Sequence, residues 1–335
     1  MIHSAKKTSL VAIGILAAIL IVFFISLNTG TIPIGPADVV RTLLGTGDGS
    51  FDVILFDFRL PRMVIALLIG IGMGIAGAIL QGVTQNGLAD PGILGINAGA
   101  GFAVVLYIFF LQDKLAGAGS LQVFIMPLFA FAGAFLAASL IYALAWKKGV
   151  TPVRLILVGI GVNAAFGGLI IVFQLMMEPK DFTQATIWLN GSIWQTSWNY
   201  VLALLPWIIL LVPYAIYKAK ALNVLTLGDQ IAVGVGAPVQ RERTILLLLA
   251  VALAGACVAA GGAITFLGLV APHLARRIVG PNHKHLLPIC ALIGALIMLV
   301  ADTLSRTILA PSEIPIGLVV SAIGAPYFIY LLIKE

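Results

Sequence analysis

Three arginines carry the plainest side-chain chemistry in this sequence. Arg59 and Arg62 bracket Pro61 in FRLPR, and Arg306 closes the run ADTLSR. A planar guanidinium suits bidentate contact with carboxylates and is costly to leave unpaired near the end of an apolar span. Two uses fit: pairing with Asp57 or Asp302 of the same chain, or receiving acidic side chains of a docking partner. A second polar group is QGVTQNGLADPGILG, from Gln81 to Gly95. There Asn86, Gly87, Asp90, Pro91 and Gly92 break helices by their own chemistry. A tight re-entrant or capped turn between spans accounts for it better than a ligand site does.

The motifs of catalysis and nucleotide binding are missing. There is no GxxxxGK(S/T) phosphate loop and no HExxH, so no catalytic residue is assigned and ATP hydrolysis by the usual phosphate-loop route is excluded for this chain. Gly72, Gly74 and Gly77 do form GxGxxG, but a dinucleotide site needs a preceding strand and an acid about 20 residues on. Gly70, Gly74 and Ala78 instead make a small-xxx-small face that lets helix backbones approach closely in a membrane. Similar faces occur at Gly159 and Asn163 and at Gly161 and Ala165, which predicts a tightly packed core with one face free for a pathway. Cys257 and Cys290 lie in apolar runs without a second thiol at ligand spacing, so neither a disulfide framework nor a metal site is expected.

Composition says what must position these groups. Hydrophobic residues make up 61% of the 335 and charged residues 10%, against roughly 45–50% and 25% in soluble domains, which makes this an all-α polytopic membrane protein. A hydrocarbon core of about 30 Å needs about 20 apolar helical residues. On that basis about ten transmembrane helices are expected, near 9–27, 62–82, 92–111, 121–146, 153–177, 199–217, 244–261, 264–280, 286–306 and 314–333. They form a single transmembrane domain over 1–335. The run after Lys6 and Lys7 is about span length with no small-x-small cleavage site behind it, and reads as a retained first span.

With the N-terminus inside, thirteen of the nineteen lysines and arginines fall on inner segments and six on outer ones. The positive-inside rule then places both termini in the cytoplasm, and the net charge of +6 calls for no nucleic-acid partner. No acid or base falls near the middle of a span, which weakens proton coupling and leaves sodium coupling at broken helices open. On the outer side, Trp188, Trp194 and Trp198 in the segment 178–198 read as an interfacial belt.

One cytoplasmic island stands out, Lys218 to Arg243, KAKALNVLTLGDQIAVGVGAPVQRER. Thr226 and Asp229 can start a short helix ending at Gly234 and Gly236, and Pro238 can open a second before the next apolar run. Ala232, Gly234 and Gly236 are small enough to permit close approach by another protein, and basic residues flank them on both sides.

Taken together, several motifs resemble the FecCD family, the permeases of ABC importers for iron-siderophores, haem and cobalamin. They are RLPR at 59–62, the Gln81 to Gly95 turn, WLNGS at 188–192, LNVLTLGDQIAVGVG at 222–236, GGAITFLGLVAPHLARRIVGPNHKHLLP at 261–288 and ADTLSRTILAPSEIPIGLVVSAIGAPYFIYLL at 301–332. Gly87 departs from the family's pattern, which usually has proline there.

The resemblance implies a cobalamin-importer-like (type II) permease of ten spans, paired with an identical or homologous second permease. Two cytoplasmic ATPase subunits carrying ATP and magnesium would dock at 218–243, with Leu227, Gly228, Asp229, Ala232, Gly234 and Gly236 as the coupling segment. An extracytoplasmic substrate-binding protein would sit on Arg59, Arg62 and Arg306. Asn86, Asp90, Pro91, His273 and Arg276 would take structural roles at an inner gate. The permease itself would hold no cofactor, lie among the lipids of a bacterial cytoplasmic membrane, and carry a ferric siderophore by alternating access. Haem or cobalamin is the alternative cargo within the family, an ion-coupled carrier the alternative class of transporter, and a membrane enzyme or sensor the alternative outside transport.

Overall fold

The computed structural model describes residues 5–334 except 31, 48, 93, 94, 116–121, 148, 194 and 195. Among these the backbone forms fourteen α-helices and one π-helical turn, with no strand. In chain order they are α1 (Ala5–Asn28), α2 (Pro36–Leu43), the π-helical turn (Val53–Arg59), α3 (Leu60–Thr84), α4 (Ile96–Phe110), α5 (Gln122–Ala145), α6 (Pro152–Leu175) and α7 (Pro179–Leu189). There follow α8 (Trp198–Tyr217), α9 (Ala219–Leu225), α10 (Asp229–Gly234), α11 (Val239–Gly261), α12 (Leu267–Val279), α13 (His283–Thr307) and α14 (Ile316–Lys334). Each of the ten expected spans coincides with a helix. Seven are long and apolar enough to cross a membrane unaided, while α4, α12 and the described apolar part of α14 are shorter.

An all-apolar helix belongs at the centre of such a bundle or against lipid, and burial separates the two cases. The most apolar 18-residue window of Val53–Thr84 has 83% of its residues buried, whereas those of Pro152–Leu175 and Trp198–Tyr217 each have 22%. The small-residue face is what allows α3 its central place. A Cβ on Gly70 would collide with the Gly294 carbonyl of α13, one on Gly77 with Gly268 of α12, and one on Gly74 would lie 2.6 Å from the Cys290 carbonyl. These backbone approaches replace the hydrophobic driving force that lipid cannot supply.

Three expectations need correction. The segment 178–198 is not a uniform interfacial belt. Trp188 is buried at the end of α7, while Trp198 is exposed and donates its indole N–H to the Phe56 carbonyl at 2.8 Å; Trp194 lies outside the described residues. The island 218–243 does hold two short helices, but the second is not opened by Pro238. It lies upstream as α9, and Pro238 starts α11 itself, whose first turns carry the polar QRER stretch straight into the apolar span. Finally, α4 begins at Ile96, not 92, because Gly95 takes a left-handed φ of 75° that a helix cannot continue through.

Candidate functional site at the two ends of the bundle

At the end of the bundle where α3 begins, the π-helical turn delivers Arg59 and the first turn of α3 delivers Arg62, three residues on. Arg62 Nε lies 2.6 Å from Asp302 Oδ1 and its Nη1 2.7 Å from Glu313 Oε2. Arg306 Nε lies 3.2 Å from Asp302 Oδ2, and its guanidinium also donates to Ser26 Oγ, to the Ser26 carbonyl at 3.4 Å and to the Thr29 carbonyl at 3.3 Å. Arg59 donates to the carbonyls of Leu27 and Ile32, at and just beyond the end of α1. All three arginines are buried, at 6%, 8% and 6% exposure.

This cluster joins α1, α3 and α13 and brings the three predicted arginines together. Asp302 is shared between Arg62 and Arg306, and Glu313 joins it; Asp57, the other expected partner, makes no ion pair among the described residues. Arg59 and Arg306 approach each other across Gly30, where a Cβ would sit 3.3 Å from one guanidinium and 3.4 Å from the other. Three guanidiniums therefore face two carboxylates. A cleft of roughly 440 Å³, lined by Arg62, Ser192, Ser305, Glu313 and Pro315 among others, opens beside them.

At the other end, Ala232 is fully buried in α10, so its small size serves internal packing, not an approaching partner. Gly228, Gly234 and Gly236 are open, with nothing within 4 Å of a built Cβ. Around them stand Leu227, Ile231, Val233 and Val235, at 56%, 55%, 63% and 65% exposure. This apolar edge escaped the sequence reading apart from Leu227, although residues 227, 231 and 235 recur at helical spacing. Asp229 Oδ1 pairs with Arg243 at 2.5 Å, and Lys218 Nζ with Glu242 at 2.9 Å, a hydrogen bond that raises the Lys218 pKa.

The turn from Gln81 to Gly95 divides its predicted residues between two places. Asn86 Oδ1 accepts from the Leu88 N–H at 2.9 Å, and Asn86 shares a cleft of roughly 320 Å³ with His273 and Arg276. Arg276 donates to Gln81 Oε1 at 3.1 Å, and the His273 ring meets Tyr327 edge-on at 5.6 Å between centroids. Asp90 and Pro91 instead fold back against the first turn of α12, where a Cβ on Gly268 would lie 2.7 Å from Pro91 and 2.8 Å from Asp90. Asp90 Oδ2 accepts from the Gly92 N–H at 2.8 Å, and burial pushes its pKa up to about 6. At residue 87 a Cβ would meet only Arg276 Nη1, at 3.9 Å, so the glycine there answers no crowding.

The FecCD transport family model matches residues 18–334. The iron(3+)-hydroxamate import system permease protein of Bacillus subtilis is 58% identical over 94% of this chain and 94% of its own length. The Fe(3+) dicitrate transport system permease protein of Escherichia coli is 39% identical over 92% and 94%. A solved structure described as an inward-facing metal-chelate type ABC transporter superposes with a TM-score of 0.81 at 29% identity, covering 97% of this chain and 99% of that one. Motifs along the whole chain, the ten-span bundle and these matches agree, and the chain belongs to the FecCD transport family.

Proposed function

We propose that this chain is the permease subunit of an ATP-driven ABC importer that moves a ferric siderophore of the hydroxamate class across a bacterial cytoplasmic membrane. The observation that carries the cargo class is the 58% identity, over nearly the whole length of both chains, with an iron(3+)-hydroxamate permease. The chain works with a second permease subunit, two ATPase subunits that bind ATP and magnesium, and an extracytoplasmic binding protein; both of its termini face the cytoplasm. ATP-driven closure of the ATPases displaces α9 and α10, and the paired spans rock to admit the chelate inward. No bond in the chelate is broken.

The roles of individual residues follow from the two polar ends. The exposed edge of α10 with Leu227, Gly228, Asp229, Gly234 and Gly236 is the ATPase-facing surface, with Ala232 as the packed residue beneath it. Contiguous exposed apolar residues ringed by polar ones fit a protein interface. Arg59, Arg62 and Arg306 receive acidic residues of the binding protein, supported by the excess of one guanidinium over the available carboxylates. Asn86, Asp90, Pro91, His273 and Arg276 shape the inner gate.

The test is gentle purification of the tagged chain from its own cells, identification of what co-purifies, and uptake by the reconstituted assembly of radio-iron as ferric hydroxamate, ferric citrate or haem. Co-purification of one ATPase per permease chain and ATP-dependent uptake of the hydroxamate support the proposal. A solitary chain whose uptake collapses with an ionophore overturns it in favour of an ion-coupled carrier. ATP-dependent uptake of haem alone overturns the cargo class and leaves the importer.

A further inference from the structure

The cytoplasmic turn between α5 and α6 is held from outside by α11. Val150, 1% exposed, offers its carbonyl to Arg243 Nη1 at 2.7 Å, while its N–H donates to Gln240 Oε1 at 3.2 Å. Two residues later Pro152 starts α6, and Arg154 donates back to the Ala145 carbonyl at 3.1 Å, which closes the turn onto the foot of that helix. Arg243 itself is 1% exposed, and its second arm, Nη2, lies 2.5 Å from Asp229 Oδ1 at the start of α10. One guanidinium thus spans the short cytoplasmic helix and the base of α6.

The helix at the far side of this link is weakly held by the rest of the chain along its length. Only Leu155, Gly159, Val162 and Ile170 of α6 are buried, and Gly161, Gly167 and Gly168 have nothing within 4 Å of a built Cβ. It packs mainly on α4 and α5, with lesser contacts to α3 and α7, so a displacement of α10 needs a connection to reach it. Arg243 supplies one that is buried on the arginine side and charge-assisted, its planar fork holding two different partners at once.

We propose that Arg243 is a positioning residue that transmits displacement of α10 to the foot of α6, with Gln240 as its auxiliary on the same turn. This rests on the proposed docking of an ATPase against α10. A local alternative is that Arg243 merely neutralises Asp229 and fills space. The two differ in what lysine can do: an ammonium restores the charge opposite Asp229 but lacks the planar fork that engages the Val150 carbonyl at the same time.

The experiment uses the full-length chain purified with its ATPase and reconstituted in liposomes, as Arg243→Gln, Arg243→Lys and Gln240→Ala. Each variant is measured for ATPase retained, ATP hydrolysed and radio-iron ferric hydroxamate taken up. Transmission through Arg243 predicts that ATPase retention holds while uptake per ATP falls about 10-fold in both Arg243 variants, within the range of couplings between distant sites, and by a smaller factor in Gln240→Ala. Spin labels at exposed Gln230 and Val153 report the α10-to-α6 distance directly, because the two native cysteines are buried. That distance stays constant through the ATP cycle with Arg243 present and changes with ATP in Arg243→Lys.

Wild-type uptake per ATP in Arg243→Lys overturns the proposal and leaves a charge-neutralising residue. Loss of the ATPase from the Arg243 variants also overturns it, since Arg243 would then shape the docking surface. If Arg243→Gln fails to fold, the lysine variant and Gln240→Ala, on an exposed turn, decide the matter, and coupling as in wild type in both overturns the proposal. Absence of an ATPase from the unmutated complex is a different failure, that of the importer assignment itself.

Discussion

Arg62 and Asp302, 240 residues apart in sequence, meet at 2.6 Å and fasten the start of α3 to the last turns of α13. Asp302 is fully buried and also serves Arg306. Removing one partner of a buried pair leaves an uncompensated charge, at a cost of about 3–5 kcal/mol. Asp302→Asn should therefore lower the thermal unfolding midpoint of the purified chain sharply. Asp57→Asn, at a carboxylate without an ion pair among the described residues, should leave it within the error of the melt.

Close backbone contact between α3 and α12 makes Gly77 intolerant of a side chain. Gly77→Ala drives a methyl group into Gly268 and should destabilise by about 1–3 kcal/mol through overpacking. Gly161→Ala, on the open side of α6, should cost nothing and gain slightly in helix propensity. Paired melts of the two variants distinguish packing at α3 from a general sensitivity of membrane helices to glycine loss.

Charges placed on the exposed edge of α10 should repel a docked ATPase without disturbing the permease. Ile231→Asp with Val235→Asp should reduce ATPase co-purification by about 10-fold or more, as expected for residues at the centre of an interface. An unchanged melting profile would show that the bundle is intact. Full retention of the ATPase would move the docking surface elsewhere.

Asp90 predicts a pH dependence whose sign follows from burial. Its folded pKa of about 6 lies above the unfolded value near 3.8, so between those values the folded chain holds a proton that the unfolded chain has released. Stability should be highest below about pH 4 as far as this group is concerned, and fall by about 3 kcal/mol as pH rises through 6. Asp90→Asn removes that slope. Melts of both chains between pH 4 and 8 that remain parallel would show the carboxylate to be better solvated than its burial implies.

Reversal of the outer charges should weaken docking of the binding protein. Arg59→Glu with Arg306→Glu should reduce its capture strongly and salt-dependently, most at low ionic strength, because reversal turns an attraction into a repulsion that salt screens. Capture measured at two ionic strengths checks both points. Unchanged capture at each would confine these arginines to holding the Leu27, Ile32, Ser26 and Thr29 positions at the end of α1.

Much of the architecture was legible in the sequence because its causes are local. Span length is set by hydrocarbon thickness, so runs such as 286–306 and 153–177 announced α13 and α6 to within a few residues. Gly70 and Gly74 declared a packing face, and Asp229 and Gly234 the limits of α10, through the chemistry of those residues alone. Tertiary structure decided the rest. Whether Asp302 or Asp57 neutralises an arginine, whether Ala232 faces a partner or the chain's own interior, and whether Trp188 lies at an interface or beneath it depend on distant backbone. So does the grip of Arg243 on Val150, 93 residues away, which no spacing in the sequence foretells. The physical reason is that apolar periodicity vanishes in helices apolar on every side. Only the packed bundle then determines which polar groups are kept from water and must find one another.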